Sequence, residues 1–313
     1  MSRPPGPVPV ELLTAAACQE GLVSAAQCDA WGVTGGMRAR LVRTGEWSRL
    51  TTGVYDVMPR AVLGLDRQRC RSAWFGMLAY GVRAVAVGAS ALALHGVKGL
   101  PLRIQPQVAL DGTARRPRAG IAVRHFDGFA TTTLGARRIA TVESALVQAL
   151  PDLDRDTAVS ILDAALRARQ LDDPGVARVR TALLGRRGCR RVEPWWDLVD
   201  RRSDSPLETR ARLACVDGGI APDELQVRIK DGRGRFVARG DLGWRLRGDR
   251  WLLAEIDGRE PHSTPTALYE DRERQNRILA SGLVDLRRFT ARDVNRPRQM
   301  VASLRAAIVA GRR

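Results

Sequence analysis

Lysine is nearly missing from this chain. Lys98 and Lys230 are the only two, so all but two of its 51 basic residues are arginine. A GC-rich genome produces that bias without any selection for a ligand. Histidine is almost as scarce, and His95, His125 and His262 are too dispersed for a structural zinc site. The five cysteines (Cys18, Cys28, Cys70, Cys189, Cys215) are odd in number and scattered, and no Cys-x-x-Cys pair occurs that could grip zinc or form a redox motif. They read as small inert side chains in a reducing cytosol, and any metal must sit on oxygen ligands. Long apolar runs are also lacking. The longest, Ala84 to Leu94, is interrupted by Gly88 and Ser90 and falls well short of the roughly 20 residues that cross a bilayer. The N-terminal stretch MSRPPGPVPVELL lacks the pattern of a secretory signal, so neither a membrane span nor export is expected and the expected location is cytoplasmic.

What is present is a normal globular balance, 44% apolar and 27% charged residues, in 313 residues. That length suits two or three domains. The formal charge of +17 favours a polyanionic partner such as double-stranded DNA, because basic side chains release condensed counterions on meeting phosphates. Its distribution is uneven. Residues 1–60 hold six basic against five acidic residues, 61–150 twelve against four, 151–200 nine against nine, and 201–313 twenty-four against sixteen.

The first 60 residues read as three helices and a hairpin. A helix fits residues 10–20. Ser24 can cap a second helix from Ala25 to Trp31, and Thr34 a third whose Met37, Leu41 and Val42 share the inner face. Strands Trp47 to Leu50 and Val54 to Val57 flank the turn Thr51-Thr52-Gly53. This predicts a winged helix-turn-helix over 1–60. Arg40 and Arg43 lie on the outer face of its third helix, with Arg38 beside them and Arg49 in the wing. Such a helix enters the major groove, where arginine bonds guanine edges while the wing meets phosphate. The alternative is that these arginines solvate the surface or meet a neighbouring domain.

Residues 61–200 read as an α/β and helical region. They hold a helix from Asp66 to Tyr80, the apolar segment Ala84 to Val97, strands Gln107 to Leu110 and Ile121 to Phe126, and a helical pattern from Thr141 to Leu184. Arg115, Arg116 and Arg118 lie in the turn between those strands, as a solvated turn or a phosphate clamp. A new domain, 201–313, opens at Ser205-Pro206, where serine caps and proline takes the first turn. It reads as helix 206–216, strands 224–230, Arg235 to Leu246 and Trp251 to Asp257, helix 267–281, strand Val284 to Phe289 and helix 297–310, a mixed sheet flanked by helices. The fold class is therefore multi-domain α/β.

Its carboxylates carry the chemistry. Glu255 and Asp257, two apart in one strand, share a face, and a hairpin centred on Gly248 sets Asp241 opposite Glu255. Like charges so close need a cation or a raised pKa, and Mg²⁺ or Mn²⁺ bound by Asp241, Glu255 and Asp257 would supply the cation. The acids could instead pair with Arg239 or Arg259. Glu208, on the entering helix, is a candidate fourth acid, and Arg272 or Gln275 of helix 267–281 could reach the site or a phosphate. His262 is a candidate general acid or base, or a plain loop histidine.

Two resemblances follow from these motifs. The stretch GLVSAAQCDAWGVTGGMRARLVRTGEWSRLTTGVYDV resembles the N-terminal winged helix of the AbiEi family of antitoxins and transcriptional regulators in type IV toxin-antitoxin systems. VGASALALHGV and IATVESALVQAL extend that likeness over roughly 10–170. It implies operator binding and autoregulation, and a nucleotidyltransferase-like toxin as a conceivable partner. Residues 205–295 or so resemble the restriction-endonuclease-like superfamily, in the branch related to very-short-patch repair endonucleases. That implies metal-assisted phosphodiester cleavage by Asp241, Glu255 and Asp257, with Glu208, His262 and Gln275 in support. The superfamily's common Glu-x-Lys is Glu255-Ile256-Asp257 here, and in that branch a histidine often stands where His262 does. Three functions are thus expected: a DNA-binding regulator with a nuclease-like domain, a Mg²⁺-dependent endonuclease targeted by the winged helix, or a scaffold for a toxin.

Overall fold

Two compact units make up the chain, Met1–Leu153 with Leu171–Cys189, and Asp154–Gln170 with Arg190–Arg313. The computed structural model describes residues 6–110, 117–126, 128–230, 233–257 and 282–313. Both units mix helices with sheet.

The first unit opens with α1 (Val10–Cys18), β1 (Leu22–Ser24), α2 (Ala25–Ala30), α3 (Gly35–Arg43), β2 (Ser48–Thr51) and β3 (Val54–Asp56), the strands lying in the order β1-β3-β2. Local chemistry sets these limits. Ser24 and Gln27 form a capping box at α2, and the Thr34 hydroxyl accepts the Met37 N–H at α3. Leu12, Ala16, Val23, Cys28, Val33, Leu41 and Trp47 bury together beneath them, with Met37 and Val42 at the margin.

The chain continues through α4 (Leu65–Tyr80), β4 (Ala84–Ala86), α5 (Gly88–Leu94), β5 (Gln107–Leu110), β6 (Ala122–Arg124), β7 (Thr131–Leu134), β8 (Arg137–Ala140) and α6 (Val142–Ala149). The five strands form a mixed sheet ordered β6-β5-β4-β8-β7. The apolar run from Ala84 splits into strand and helix at Gly88, whose φ of +51° suits glycine. The pair β7 and β8 is an addition to the elements read from the sequence.

No joint falls at residue 60, where one was expected. Leu22 and Val54 belong to the core that holds Trp74 and Met77 of α4. Arg71 of α4 pairs with Asp56 and donates to the Glu20 carbonyl, and Arg67 pairs with Glu20 at 2.6 Å. The expected division at residue 200 differs as well. In the helical stretch, α7 (Arg155–Arg167) belongs to the second unit and α8 (Asp173–Leu183) to the first, while α9 (Cys189–Val192) stands at the boundary.

The second unit adds α10 (Pro206–Asp217), β9 (Glu224–Lys230), β10 (Phe236–Arg245), β11 (Trp251–Asp257), β12 (Val284–Thr290) and a closing helix, Pro297–Arg312. The sheet order is β12-β11-β10-β9, antiparallel except for the parallel pair β11 and β12. On one face Leu242, Trp244, Leu252 and Ala254 pack against Ala211 and Cys215 of α10 and Met300, Leu304 and Ile308 of the closing helix. The expected helix 267–281 lies outside the described residues.

A buried ion pair ties α7 to α10. Asp163 and Arg212 are 1% and 8% exposed at the side chain and lie 3.0 Å apart. Asp163 also accepts the Thr209 hydroxyl at 2.8 Å and the Asp200 N–H at 2.7 Å, while Arg212 donates to the Leu198 carbonyl. Burial pushes the Asp163 carboxyl up to about 6 even against Arg212. Breaking such a pair leaves an unmatched buried charge, so Arg212→Met is expected to cost about 3–5 kcal/mol in urea unfolding, and the double change Asp163→Leu/Arg212→Met clearly less. Equal losses in both variants would show that the charges do not act as a pair.

Candidate active site

The site forms where α10 meets the middle of the sheet. Ser205 caps α10 by accepting the Glu208 N–H at 3.2 Å, which places Glu208 in the first turn, turned inward and 6% exposed. Its Oε2 accepts two N–H groups, from the Asp204 backbone and from the Gln226 side-chain amide, each at 2.8 Å.

Gln226 is the irregular residue of β9. Its φ of +56° is left-handed, which costs a non-glycine residue on the order of 1–2 kcal/mol. The strand is kinked there without losing register. Leu225 packs in the helix-side core and Val227 in the core on the opposite face, although two residues of a regular strand share a face. Opposite Gln226, β10 pairs Leu242 with Leu225 and Gly240 with Val227, with Asp241 between them. Toward β11, Leu242 pairs with Ala254, so the next rung sets Asp241 beside Glu255, and Asp241 Oδ2 accepts the Ile256 N–H at 2.7 Å. The kink thus interrupts the ladder at Asp241 while one oxygen of that acid stays anchored.

Three carboxylates therefore feel one another. Glu208 is pushed up to about 7, by burial first and by the Asp241 charge second. Asp241 is also raised, chiefly by burial and further by Glu255 and Asp204, against the opposing Ile256 N–H and Arg239. Two cations flank the group. Arg239 pairs with Asp204 and donates to Gln226 Oε1, and Arg288, set beside Glu255 by the parallel register of β12, pairs with Glu255 at 3.0 Å. A carboxyl titrating near neutrality can give or take a proton at physiological pH.

The expected trio of Asp241, Glu255 and Asp257 is not assembled as a cage: among the described residues no three His, Cys, Asp or Glu are placed to hold a metal ion. Asp241 is held on a backbone N–H, Arg288 draws off Glu255, and Asp257 is exposed at the end of β11, across from Thr290. The acid coupled to Asp241 from the helix side is Glu208. His262, Arg259, Arg272 and Gln275 lie outside the described residues. Gln226 and Arg288 were missed in the sequence, the first because a left-handed residue inside a strand has no local signature here, the second because a parallel register cannot be counted across a long connection.

The arginines of the first unit divide. Arg38 was expected on the outer face of α3, but its Nη1 donates to the Val33 carbonyl at 2.7 Å, it pairs with Asp29, and its guanidinium lies 5.8 Å from the Tyr55 ring centre. At 11% side-chain exposure it braces the turn between α2 and α3. Arg40 is half-buried, 3.8 Å from Glu46. Arg43 and Arg49 are exposed, Arg49 bonding Thr52 in the hairpin turn. Gly35, Gly36 and Ala39 complete the open face of α3, which leaves the backbone there close to the surface. Arg118 reaches the same turn, donating to the Thr52 carbonyl at 2.6 Å with its guanidinium 5.6 Å from the Tyr80 ring centre. Arg115 and Arg116 lie outside the described residues.

No family model matches this chain. It is similar to two proteins of Mycobacterium tuberculosis, one from strain CDC 1551 / Oshkosh and one from strain H37Rv, each bearing the name of an uncharacterized protein. Each is 28% identical over 245 residues, which cover 77% of this chain and 84% of the relative. Neither name says what the relative does. No helix among the described residues is long and apolar enough to cross a membrane.

The Glu208 shift has a measurable consequence. The folded carboxyl holds its proton more tightly than the unfolded one, from the ordinary 4.5 up to about 7, so its contribution to stability falls as pH rises through that window. Glu208→Gln keeps an acceptor for both N–H groups and removes this loss. The variant is expected to gain on wild type between pH 4.5 and 7, by on the order of 3 kcal/mol at most, in melts run across pH. A constant difference between the two curves would place the Glu208 carboxyl in water.

Proposed function

We propose that this chain is a DNA-binding protein whose second unit cleaves phosphodiesters with the aid of a divalent cation. The observation that carries the reading is the mutual repulsion of Glu208, Asp241 and Glu255 at a strained point of the sheet. Buried like charges and a non-glycine residue at positive φ are retained where they serve chemistry. The order α10, β9, β10, β11, β12 with a parallel last pair is compatible with a restriction-endonuclease-like core. The order α1, β1, α2, α3, β2, β3 in the first unit supports a winged helix of AbiEi type.

The donor set suits a hard cation in kind and charge. Mg²⁺ or Mn²⁺ commonly binds one or two carboxylates, several waters and a substrate phosphate, so a three-carboxylate cage is not needed. Asp241, through the oxygen not held by Ile256, and Glu255 would hold it. When bound, such an ion would supply Lewis acidity that polarises the phosphate and lowers the pKa of a water. Glu208, titrating near 7, takes the proton from the attacking water or returns one to the leaving oxygen, and Gln226 fixes its orientation. Arg288 supplies the positive charge that the superfamily's usual lysine, replaced here by Asp257, would bring to the phosphate.

A second reading, a DNA-binding regulator that does not cut, is favoured by one observation. Arg288 already neutralises Glu255, and in that reading the pair is permanent.

Incubating supercoiled plasmid with the protein and Mg²⁺ or Mn²⁺ separates the two. Nicking that disappears in Asp241→Asn and drops about 10–100-fold in Arg288→Gln supports cleavage. Intact plasmid with either ion leaves the regulator. DNA binding is read independently: Arg43→Ala and Arg49→Ala are each expected to lower the slope of log affinity against log salt by about one, and an unchanged slope would remove these two from the interface.

A further inference from the structure

We infer that the face of β9 and β10 running from Arg239 through Arg228 to Phe236 is a track for single-stranded DNA that leads to Glu208 and Asp241, with Phe236 stacking one unpaired base. Backbone alternation lays the track down. Beyond Gln226, Val227 and Ile229 point into the core on the far face of the sheet, so Arg228 and Lys230 stand on the near face, which carries α10, and both are exposed. Arg239, the cross-strand neighbour of Arg228, lies on that face too, since it bonds Gln226 Oε1 and Asp204. β10 is bulged between Phe236 and Ala238, so Val237 and Ala238 both enter the far core. Phe236 turns out, 49% exposed, with the Arg228 guanidinium 5.6 Å from its ring centre.

Charge and an exposed ring select the ligand. Residues 228–239 hold five basic side chains, Arg228, Lys230, Arg233, Arg235 and Arg239, against one acid, Asp231. Asp231 lies outside the described residues and can cancel only one of the five, and Asp204 takes up Arg239. The hairpin therefore keeps an excess of positive charge whichever pairs form, and that excess calls for phosphates. Arg228 and Arg239 also stand side by side on one rung, where like charges repel until an anion lies between them. The ring narrows the choice further. Bases inside a duplex already stack on one another, so an aromatic side chain in water with a cation beside it suits an unpaired base. Along β9 the steps from Gln226 to Arg228 and on to Lys230, which is opposite Phe236, are about 7 Å each. A strand with one base on Phe236 thus passes its phosphates over Arg228 toward Gln226 and Glu208. The direction of the track rests on the cleavage reading, whose substrate it names as DNA with an unpaired stretch beside the scissile bond.

Fluorescence anisotropy of the full chain with a labelled oligothymidylate and a labelled duplex, in EDTA so that no cutting enters, tests this. Wild type is expected to bind the oligothymidylate. Phe236→Leu should weaken that binding about tenfold and leave duplex affinity unchanged, while Phe236→Tyr, which keeps a ring, retains both. Arg228→Gln should lower the slope of log affinity against log salt on the single strand by about 0.7. No binding of the oligothymidylate, an affinity that Phe236→Leu does not change, or equal losses on both DNAs would overturn the track. Plasmid cutting is read separately, so failure of the track leaves the cation site standing, and an uncut plasmid leaves the track standing.

Discussion

Repulsion between Glu208 and Asp241 is the constraint around which the second unit is arranged. Among the described residues neither acid forms an ion pair, and each is held by N–H groups instead, Glu208 by Asp204 and Gln226, Asp241 by Ile256. Two packed cores, one on each face of the sheet, hold β9 and β10 together on either side of Gln226 despite the cost there. The site thus stores unfavourable terms that the surrounding core offsets, the pattern expected where a carboxyl must titrate near neutrality.

The large positive charge is spent differently in the two places where it matters. Many arginines are structural: Arg38 braces a turn, Arg71 joins α4 to β3, and Arg212 is buried with Asp163. Arg155 spans Asp156 and Asp217 in the same way. Net charge alone therefore overstates the surface available to a polyanion. Arg43 is exposed on α3, and at the hairpin turn the exposed Arg49 is joined by Arg118, which comes from a loop far along the chain. A DNA contact at this turn would draw on the α/β layer as well as on the first 60 residues.

That sharing explains why the first 150 residues act as one unit. Leu22 and Val54 complete the core of α4, so the three-helix segment and the five-stranded sheet are stabilised together.

Composition, capping residues and strand alternation determined much of this protein by themselves. Ser24, Thr34 and Ser205 start helices through bonds to residues three positions on, and the hairpin around Gly248 follows from short-range pairing, because such interactions depend on neighbours in the chain. The sequence likewise nominated Asp241, Glu255 and Glu208. Only the tertiary structure decided how they meet. The left-handed turn of the backbone at Gln226, the parallel register that brings Arg288 to Glu255, the inward turn of Arg38 and the merging of the first two expected domains all come from packing between distant segments, whose competition leaves no trace at the residues concerned.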